Sequence, residues 1–395
     1  MRWSSICRRW NTLFLEDQRF SEKHLRNSPK QPLILMLTER RLFFFCEQFS
    51  EALSLKNYYV SEDAHIDTVS HCDGLLLCTT ECDLVVWNPC SGQTRWIKQN
   101  NGKNDRCRCC LGDSMFTLGY GNNQSCRSYK ILMLYHTIYE YDYHHVQDED
   151  FEIYDFNSNT WRFLDARING RKTISDESHG VTLKGNAYWI SSDDEEGGCD
   201  LLSFDFTKER FRRLCFPLMT SGHCIMYRVL SVVREELSVL CCIDSSKMEM
   251  WVTNNMDSTC EESVLSWSKS FTVDFCLNIY TSVLIDEDKK VALCGSPHQG
   301  VAFTIGEEDE YYSEIPFEGT RSRDEHIFNY VPSLVQFPQQ RWWEHDNLSS
   351  QETDDEYMMS ESDDELDWWE IEFTDFRSRR GSRGRVLRRT RCVTL

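Results

Sequence analysis

A hairpin pattern that recurs along the chain is the feature of this sequence that most constrains its fold. An apolar run reaches Asn or Asp, passes a tight polar turn, and returns through an aromatic residue. The copies occupy residues 85–96, 151–161 and 201–211, and Trp251 with Trp267 marks a degenerate fourth. Such turns join antiparallel strands, and each aromatic can anchor its hairpin in a core. The pattern therefore predicts a repeated unit of β-structure.

The spacing of the copies narrows the architecture. The Asn or Asp positions are Asn88, Asp155 and Asp205, which lie 67 and 50 residues apart. Stranded repeats of about 40 to 50 residues are typical of β-propeller blades, kelch-like ones in particular. A mainly β, kelch-like propeller is therefore predicted. Because the spacing is irregular, a β-sandwich with Greek-key hairpins is the alternative.

The β-rich stretch covers residues 32–338, where short apolar runs alternate with Gly, Asn, Asp and Ser. Strands are predicted at residues 74–79, 84–88, 129–135, 151–156, 160–164, 180–183, 187–190, 201–206, 237–243, 248–253 and 291–294. Residues 119–121, Gly-Tyr-Gly, are predicted to form a hairpin turn, since no phosphate-binding lysine or evident helix follows them. Trp189 and Trp251 are predicted to be core anchors.

Two further segments flank the β-rich stretch. Residues 1–28 carry apolar side chains at spacings of three and four, which predicts a short helical segment with one apolar face. Within residues 339–395, positions 344–375 hold 14 acidic residues and no Lys or Arg, whereas positions 377–391 hold eight Arg and no acid. Blocks of like charge repel one another and bury little apolar area, so a disordered acidic-then-basic tail is predicted.

Composition excludes several classes of function. The chain has 395 residues and a formal net charge of −21, which argues against a general binder of nucleic-acid phosphates. No apolar run approaches the roughly 20 residues of a membrane span, and the first residues lack the apolar run of a signal peptide. An intracellular protein of the cytoplasm, the nucleus or both is expected. The 19 cysteines, an odd number, favour reduced thiols over a closed disulfide framework.

Metal and catalytic sites are weighed and not predicted. Two cysteine groups could supply zinc ligands, but neither has paired CxxC spacing, so ordinary core or loop cysteines are favoured and no cofactor is predicted. These groups are Cys107, Cys109, Cys110 and Cys126, and Cys72, Cys78, Cys82 and Cys90 with His71. The acidic runs at residues 193–196 and 307–310 are predicted to be solvated loops rather than the carboxylate pair of a propeller glycosidase. His144 and His145, or His71, could serve as bases, but no Ser or Cys can be assigned as a partner, so surface or turn histidines are predicted.

A resemblance to a known family runs along most of the chain. Residues 1–14, followed by residues 17–20 and 23–24, resemble the second half of a plant F-box, with Cys7, Trp10 and Leu13-Phe14 in order. The segments that resemble the F-box-associated (type 1, kelch-like) domain follow in order at residues 71–78, 86–89, 119–121, 129–131 and 330–335.

The resemblance implies a substrate receptor of an SCF-type ubiquitin ligase, not an enzyme. In that family the F-box binds a Skp-type adaptor, which joins the cullin complex, and the β-domain binds the target protein. Such a receptor acts by proximity, since tethering raises the effective concentration of the target. The resemblance assigns adaptor contacts to Met1, Cys7, Trp10, Leu13 and Phe14, and it assigns no substrate-binding residue.

One departure from the family keeps alternatives open. The family's F-box begins with a Leu-Pro-containing helix and a second apolar segment, and neither precedes the Cys-Trp portion here. The apolar face of residues 1–28 either binds the adaptor or only packs against the β-domain. The alternative function is a truncated, non-ligase interaction protein, either a decoy or a nuclear module whose Arg-rich tail binds an import receptor.

Overall fold

The computed structural model divides into two compact units, one of Gln18–Gln339 and one of Met1–Asp17 with Gln340–Leu395. All residues described below belong to the first unit. The structure describes residues 23, 33–38, 41–45, 53–54, 66–80, 84–97, 114–123, 126–141, 144–168, 173–174, 180–192, 199–216, 225–243, 247–254, 265–274, 282–286, 290–296, 301–306, 313–316 and 326–337. The predictions for the helical segment at 1–28 and for the tail at 339–395 therefore lie outside the described residues, apart from Lys23, which is helical.

The described strands form six antiparallel sheets, which we call blades 1 to 6. Blade 1 contains β1 Leu33–Thr38, β2 Arg41–Phe45, β3 Leu53–Ser54 and β25 His326–Tyr330. Blade 2 contains β4 Ile66–Cys72, β5 Leu75–Thr80, β6 Leu84–Asn88 and β7 Gln93–Ile97. Blade 3 contains β8 Ser114–Asn123, β9 Cys126–Tyr141, β10 His144–Asp155 and β11 Thr160–Leu164.

The other three blades follow in chain order. Blade 4 contains β12 Thr173–Ile174, β13 Val181–Leu183, β14 Asn186–Ser192, β15 Cys199–Asp205 and β16 Arg210–Leu214. Blade 5 contains β17 Ile225–Val233, β18 Glu236–Ile243, β19 Lys247–Asn254 and β20 Ser266–Val273. Blade 6 contains β21 Ser282–Asp286, β22 Val291–Ser296, β23 Val301–Gly306 and β24 Ser313–Pro316.

The blades close into a ring through their first strands. β4 lies against β1 and β8, β13 lies against β8 and β17, and β21 lies against β17 and β25. Blade 1 is completed from both ends of the domain, because β25 pairs with β1 in the register Leu35↔Phe328. This ring confirms the predicted β-propeller, and the sandwich alternative is wrong because the sheets do not stack as two facing layers.

The core of the propeller lies between neighbouring blades. Separate clusters of buried apolar side chains fill the spaces between blades 1 and 2, 2 and 3, 3 and 4, 4 and 5, and 5 and 6. A central strand of a blade is therefore buried on both faces, which explains why Leu75–Thr80 reads as one apolar run. The outer strand Gln93–Ile97 alternates buried and exposed side chains, because only one of its faces meets a neighbour.

The recurring hairpin is the outer pair of strands of a blade. Its three copies are β6–β7, β10–β11 and β15–β16, and Trp251 and Trp267 lie on the equivalent pair β19–β20 of blade 5. The irregular spacing has a structural cause in blade 3. There β9 and β10 continue past the end of β8, pairing as far as Tyr141↔His144, whereas β8 stops at Ser114↔Tyr135.

The eleven strand predictions are confirmed, but the turn predicted at residues 119–121 is wrong. These residues lie inside β8. A Cβ at Gly119 would come within 2.2 Å of the Phe206 ring, and one at Gly121 within 2.9 Å of the Phe206 carbonyl oxygen. The glycines are needed where blade 4 approaches the backbone of blade 3, and not for a turn.

Candidate functional site

Because neighbouring strands run in opposite directions, the connections between strands lie alternately at the two ends of the propeller. The turn after the first strand and the turn after the third strand of a blade lie at one end, which we call the turn end. Its described turns are residues 73–74, 89–92, 156–159, 184–185, 206–209 and 234–235. The opposite end, which we call the loop end, holds the connections between second and third strands and from one blade to the next. Every described residue with a left-handed φ lies at the turn end.

The three hairpin copies make the same turn in atomic detail. The side-chain oxygen that opens each turn, in Asn88, Asp155 or Asp205, accepts a hydrogen bond of 2.8 Å from the backbone N–H two residues along. This explains why the sequence pattern requires Asn or Asp at that position. The fifth residue of each turn has a left-handed φ, and these residues are Gly92, Asn159 and Glu209.

Asn159, the left-handed residue of blade 3, accepts a hydrogen bond from an arginine of blade 2. Arg95, a buried residue of β7, donates from Nη2 to Asn159 Oδ1 at 2.8 Å and to Tyr154 Oη at 2.9 Å. Its guanidinium lies 5.0 Å from the centre of the Phe156 ring. The arginine therefore combines charge-assisted hydrogen bonds with a cation–π contact across the boundary between two blades.

Glu209, the left-handed residue of blade 4, likewise accepts a hydrogen bond from a lysine of blade 3. Lys130 on β9 has a buried side chain, and its Nζ donates to Glu209 Oε1 at 2.8 Å and to the Phe206 carbonyl at 3.2 Å. Arg162 on β11 donates to the other oxygen of Glu209. Partial burial acts to raise the pKa of Glu209, but the hydrogen bonds from Arg162 and Lys130 outweigh it and lower the pKa.

The segment of residues 331–337, which follows β25, fastens blade 1 to blade 2 at the turn end. Asn88 Nδ2, fully buried, donates to the carbonyl oxygens of Ser333 at 3.1 Å and Val335 at 2.7 Å. One asparagine therefore opens its own hairpin turn through Oδ1 and holds the last described segment of the ring through Nδ2.

A close approach at Gly74 tightens the same junction. Ser333 Oγ donates to the Asp73 carbonyl, and Tyr330 Oη donates to the Gly74 carbonyl at 3.3 Å. Gly74 has φ +80°, and a Cβ there would lie 2.5 Å from Ser333 Oγ. Only glycine fits this turn, for reasons of both conformation and space.

His71, considered in the sequence as a base or a zinc ligand, is a half-buried structural residue. Its Nε2 accepts a hydrogen bond of 3.1 Å from the Gly74 N–H, and its ring lies 5.4 Å from the Tyr330 ring. Desolvation lowers the pKa of His71 to about 4. A neutral imidazole whose ring nitrogen is already bonded within the turn has a structural role.

The cysteines of the zinc candidate containing His71 do not converge. Cys72 packs between blades 2 and 3, whereas Cys78 packs between blades 1 and 2, on the opposite face of the sheet. Among the described residues no three metal-ligating side chains come together. Cys107, Cys109, Cys110 and Cys82 lie outside the described residues. Cys242 takes part in a disulfide bond, so the prediction of reduced thiols is wrong for that residue.

The remaining predicted residues divide between core and undescribed positions. Trp189 is buried between blades 3 and 4, which confirms it as a core anchor. Trp251 is half-buried under the Lys269 ammonium, 5.2 Å from its ring centre. His144 and His145 lie on β10, and their side chains are not described. The adaptor contacts Met1, Cys7, Trp10, Leu13 and Phe14 and the acidic runs at 193–196 and 307–310 lie outside the described residues.

The two ends therefore differ in what their side chains do. At the turn end, polar side chains bond to backbone and to the next blade. At the loop end, Phe163 on β11 keeps 60% of its surface exposed, the largest exposure among the described large apolar residues. Sequence reasoning assigned no binding residue to the loop end, although Arg228 interrupts the apolar strand Ile225–Val233 and is a usable signal. The candidate binding surface is the loop end.

A ring of this kind defines the class of the protein as a β-propeller. The F-box associated beta propeller domain matches residues 35–337. F-box only protein 9 of Arabidopsis thaliana is 39% identical over 361 residues, with 84% of this chain and 89% of that protein covered. F-box protein At3g22700 of the same plant is 44% identical over 309 residues, covering 74% and 86%. The chain belongs to the family of F-box proteins with an F-box associated propeller domain.

Solved structures show only a distant likeness. A chain of the nidogen/laminin complex is 11% identical with a TM-score of 0.41, over 77% of this chain and 100% of that one. Within the described residues, no helical segment has the length and hydropathy that crossing a bilayer requires.

Proposed function

We propose that this protein is the substrate-recognition subunit of an SCF-type ubiquitin ligase. The observation that carries the proposal is the family match over residues 35–337, which begins within β1 and ends at the last described residue of the ring. The matched domain is therefore one closed propeller. A receptor of this kind needs a rigid domain for the target and a separate segment for the adaptor.

The physical role of the propeller is to hold a target in one orientation. Tethering replaces a bimolecular encounter with an effectively intramolecular one, and a rigid scaffold limits the orientations that the target samples. Hydrogen bonds from Arg95, Lys130 and Asn88 across blade boundaries supply that rigidity. The chemistry itself is left to the conjugating enzyme of the complex.

The loop end is the surface that we assign to the target. Every described residue with a left-handed φ, such as those in the turns at residues 73–74 and 156–159, lies at the opposite end. Binding residues are found on the connecting segments of many folds, because such segments tolerate changes in length and side chain. Changes at the loop end can therefore alter target choice while the ring stays folded.

Adaptor binding tests the ligase assignment directly. The full chain, tagged, is mixed with a purified plant Skp-type adaptor, and the bound adaptor is quantified by pull-down and by calorimetry. We expect saturable binding that Trp10→Asp and Leu13→Asp each weaken at least tenfold, since both residues are assigned to the adaptor contact. Phe163→Asp, on the propeller, is the matched control and should bind the adaptor normally.

The result that would overturn the ligase assignment is a chain that stays folded by circular dichroism and shows no adaptor binding. Such a chain would be an interaction protein that holds targets without delivering them. Binding that Trp10→Asp and Leu13→Asp leave unchanged would instead keep the ligase assignment and remove the assigned contacts.

A further inference from the structure

Arg228 is a cation placed deep in the cleft between blades 4 and 5. It lies on β17, the first strand of blade 5, and its Cα partner on β18 is Cys241. Cys241 belongs to the apolar cluster that joins blades 4 and 5, and Leu230, two residues along β17 on the same face, belongs to it too. β17 runs from the loop end towards the turn at residues 234–235, so Arg228 lies in the half of the cleft nearer the loop end.

This arginine has no counter-charge within the described part of the chain. Its side chain is half-buried, and the Nε atom is buried without any hydrogen-bond acceptor. The facing group Cys241 cannot serve as an anion, because burial raises the pKa of its thiol far above neutrality. The carboxylate of Glu249 lies one strand further out and is bonded to Lys269 Nζ at 2.6 Å.

A buried donor without an acceptor is costly to fold, and the cost is larger for a charged group. Native structures keep few such groups, and each one requires an explanation such as strain, a bound water or ion, or a ligand. Other described cations that cross a blade boundary, such as Arg95 and Lys130, donate to fixed acceptors on the neighbouring blade, although Arg95 Nε also has no acceptor. Arg228 lacks the acceptor that its position in the cleft would require.

A second observation indicates that the missing hydrogen-bond acceptor of Arg228 is negatively charged. Lys247 and Lys269 lie on the third and fourth strands of blade 5, with side chains 44% and 42% exposed. Glu249, only 10% exposed, is the single acidic residue bridged by both lysines. On blade 5 the cations Arg228, Lys247 and Lys269 therefore outnumber the two acidic residues near them in the strand register, Glu249 and Asp274, in a chain whose net charge is −21.

We propose that Arg228, together with Lys247 and Lys269 on the outer strands of blade 5, binds an acidic side chain of the target protein in the cleft between blades 4 and 5, on its loop-end side. The inference rests on the proposed function and adds to it the class of target segment, one that carries Glu or Asp. A carboxylate accepts two parallel hydrogen bonds from a guanidinium, so it would satisfy Nε together with one Nη. The two exposed lysines attract neighbouring acidic residues of the same segment without fixing their geometry.

The test uses the full chain and three fluorescein-labelled peptides of equal length, in fluorescence anisotropy at low and physiological salt. One peptide is rich in glutamate, one replaces each glutamate with glutamine, and one carries phosphoserine among glutamines. We expect the glutamate peptide to bind roughly tenfold or more tightly than the glutamine peptide, the difference that charge-assisted hydrogen bonds predict. Arg228→Gln should remove that preference.

Arg213→Gln is the matched control variant. Arg213 is an exposed arginine of blade 4, 39% exposed and 4.0 Å from Asp200, so its loss changes the net charge equally without touching the cleft. It should bind the glutamate peptide within about twofold of the unmodified chain, because a single distant surface charge is screened. Equal losses in Arg228→Gln and Arg213→Gln would reduce the effect to net charge and overturn the proposal.

Stability separates a binding role from a structural one. If Arg228 is kept for a ligand, Arg228→Gln should leave the midpoint of thermal unfolding unchanged or raise it, because an unpaired buried charge is removed. A clear fall in the midpoint would identify Arg228 as a structural residue. Binding of the phosphoserine peptide alone would also overturn the proposal, in favour of a phosphopeptide site.

Failure of this inference and failure of the ligase assignment give different results. Arg228→Gln should still bind the Skp-type adaptor in the pull-down. If the chain binds the glutamate peptide through Arg228 but does not bind the adaptor, the cleft site is supported and the ligase assignment is contradicted. If the chain binds the adaptor but shows no preference for the glutamate peptide, the ligase assignment is supported and the cleft site is contradicted.

Discussion

The turn end and the loop end of the propeller are built from the same strands but use polar residues differently. At the turn end, left-handed residues such as Asn159 and Glu209 direct their side chains to a cation of the preceding blade. At the loop end, the described side chains include the exposed ring of Phe163 and the unpaired donor of Arg228. Polar groups that are satisfied inside the protein stabilise it, whereas groups left unsatisfied are available to a partner.

The residues that stabilise the fold are therefore expected to differ from the residues that bind a partner. Substitutions at the turn end should lower stability and affect binding only through unfolding. Substitutions at the loop end should change binding at nearly constant stability. The four predictions below test the division by stability, starting with the substitution expected to cost most.

Gly74→Ala should have the largest effect, a loss of about 3 kcal/mol in the free energy of unfolding. The left-handed backbone costs an alanine about 1 kcal/mol, and the clash with Ser333 adds overpacking at the junction of blades 1 and 2. Gly92→Ala is the matched control, because Gly92 is also left-handed at φ +72° but has open space around the added Cβ. It should lose only about 1 kcal/mol in urea unfolding. Equal losses would show that the contact with Ser333 contributes nothing.

Glu209→Gln should lower the free energy of unfolding by about 2–3 kcal/mol, because it leaves the buried ammonium of Lys130 without a negative partner. The comparison is Arg162→Gln, which removes a donor to the same carboxylate from a side chain that is 48% exposed. That change should cost about 0.5 kcal/mol, as for other exposed ion pairs. Urea unfolding at pH 7 measures both, and similar losses would contradict a specific role for the buried lysine.

Acid should weaken the turn end through His71. Burial lowers its pKa from 6.5 to about 4 in the folded protein, so between these values the unfolded chain binds a proton that the folded chain does not. Stability from this residue is complete above pH 6.5 and falls as the pH falls towards 4. The loss between pH 7 and pH 5 should be about 2 kcal/mol. His71→Gln should show a correspondingly smaller fall in urea unfolding over that range, and an unchanged pH dependence would contradict the burial.

Phe163→Ala should have the smallest effect, a change within about 0.5 kcal/mol, since its ring is mostly exposed at the loop end. Its neighbour Leu164 is buried between blades 3 and 4, so Leu164→Ala should lower the free energy of unfolding by about 2–3 kcal/mol. Thermal unfolding measures both variants. A loss above about 1 kcal/mol for Phe163→Ala would mean that the loop end also stabilises the ring. That result would remove the division between the two ends.

Much of the fold could be predicted because it depends on local chemistry. The Asn or Asp that opens each hairpin acts on an amide two residues away, so the pattern at Asn88, Asp155 and Asp205 shows in the sequence. The turn predicted at the glycines of β8 is wrong because Phe206, on another blade, is what excludes a side chain there. The sequence shows that Gly119 and Gly121 are unusual and does not show which distant residue requires them.

The candidate site was the least predictable part. Arg228 is one of many arginines in the sequence, and its importance depends on the absence of an acceptor among the residues that surround it. That absence depends on which residue faces it across β18, and on the bond that already holds Glu249 to Lys269. Both facts follow from strand register and blade packing, which join residues far apart in the chain.

The strands, the repeated hairpin, the propeller class and the family follow from the sequence alone, because these rest on patterns spanning a few residues at a time. The order of the blades and the closure of blade 1 by β25 become known only from the folded structure. That structure also decides which polar groups are paired across blade boundaries and which are left for a partner. The physical reason is that pairing depends on distance and burial, and both are set when separate parts of the chain pack together.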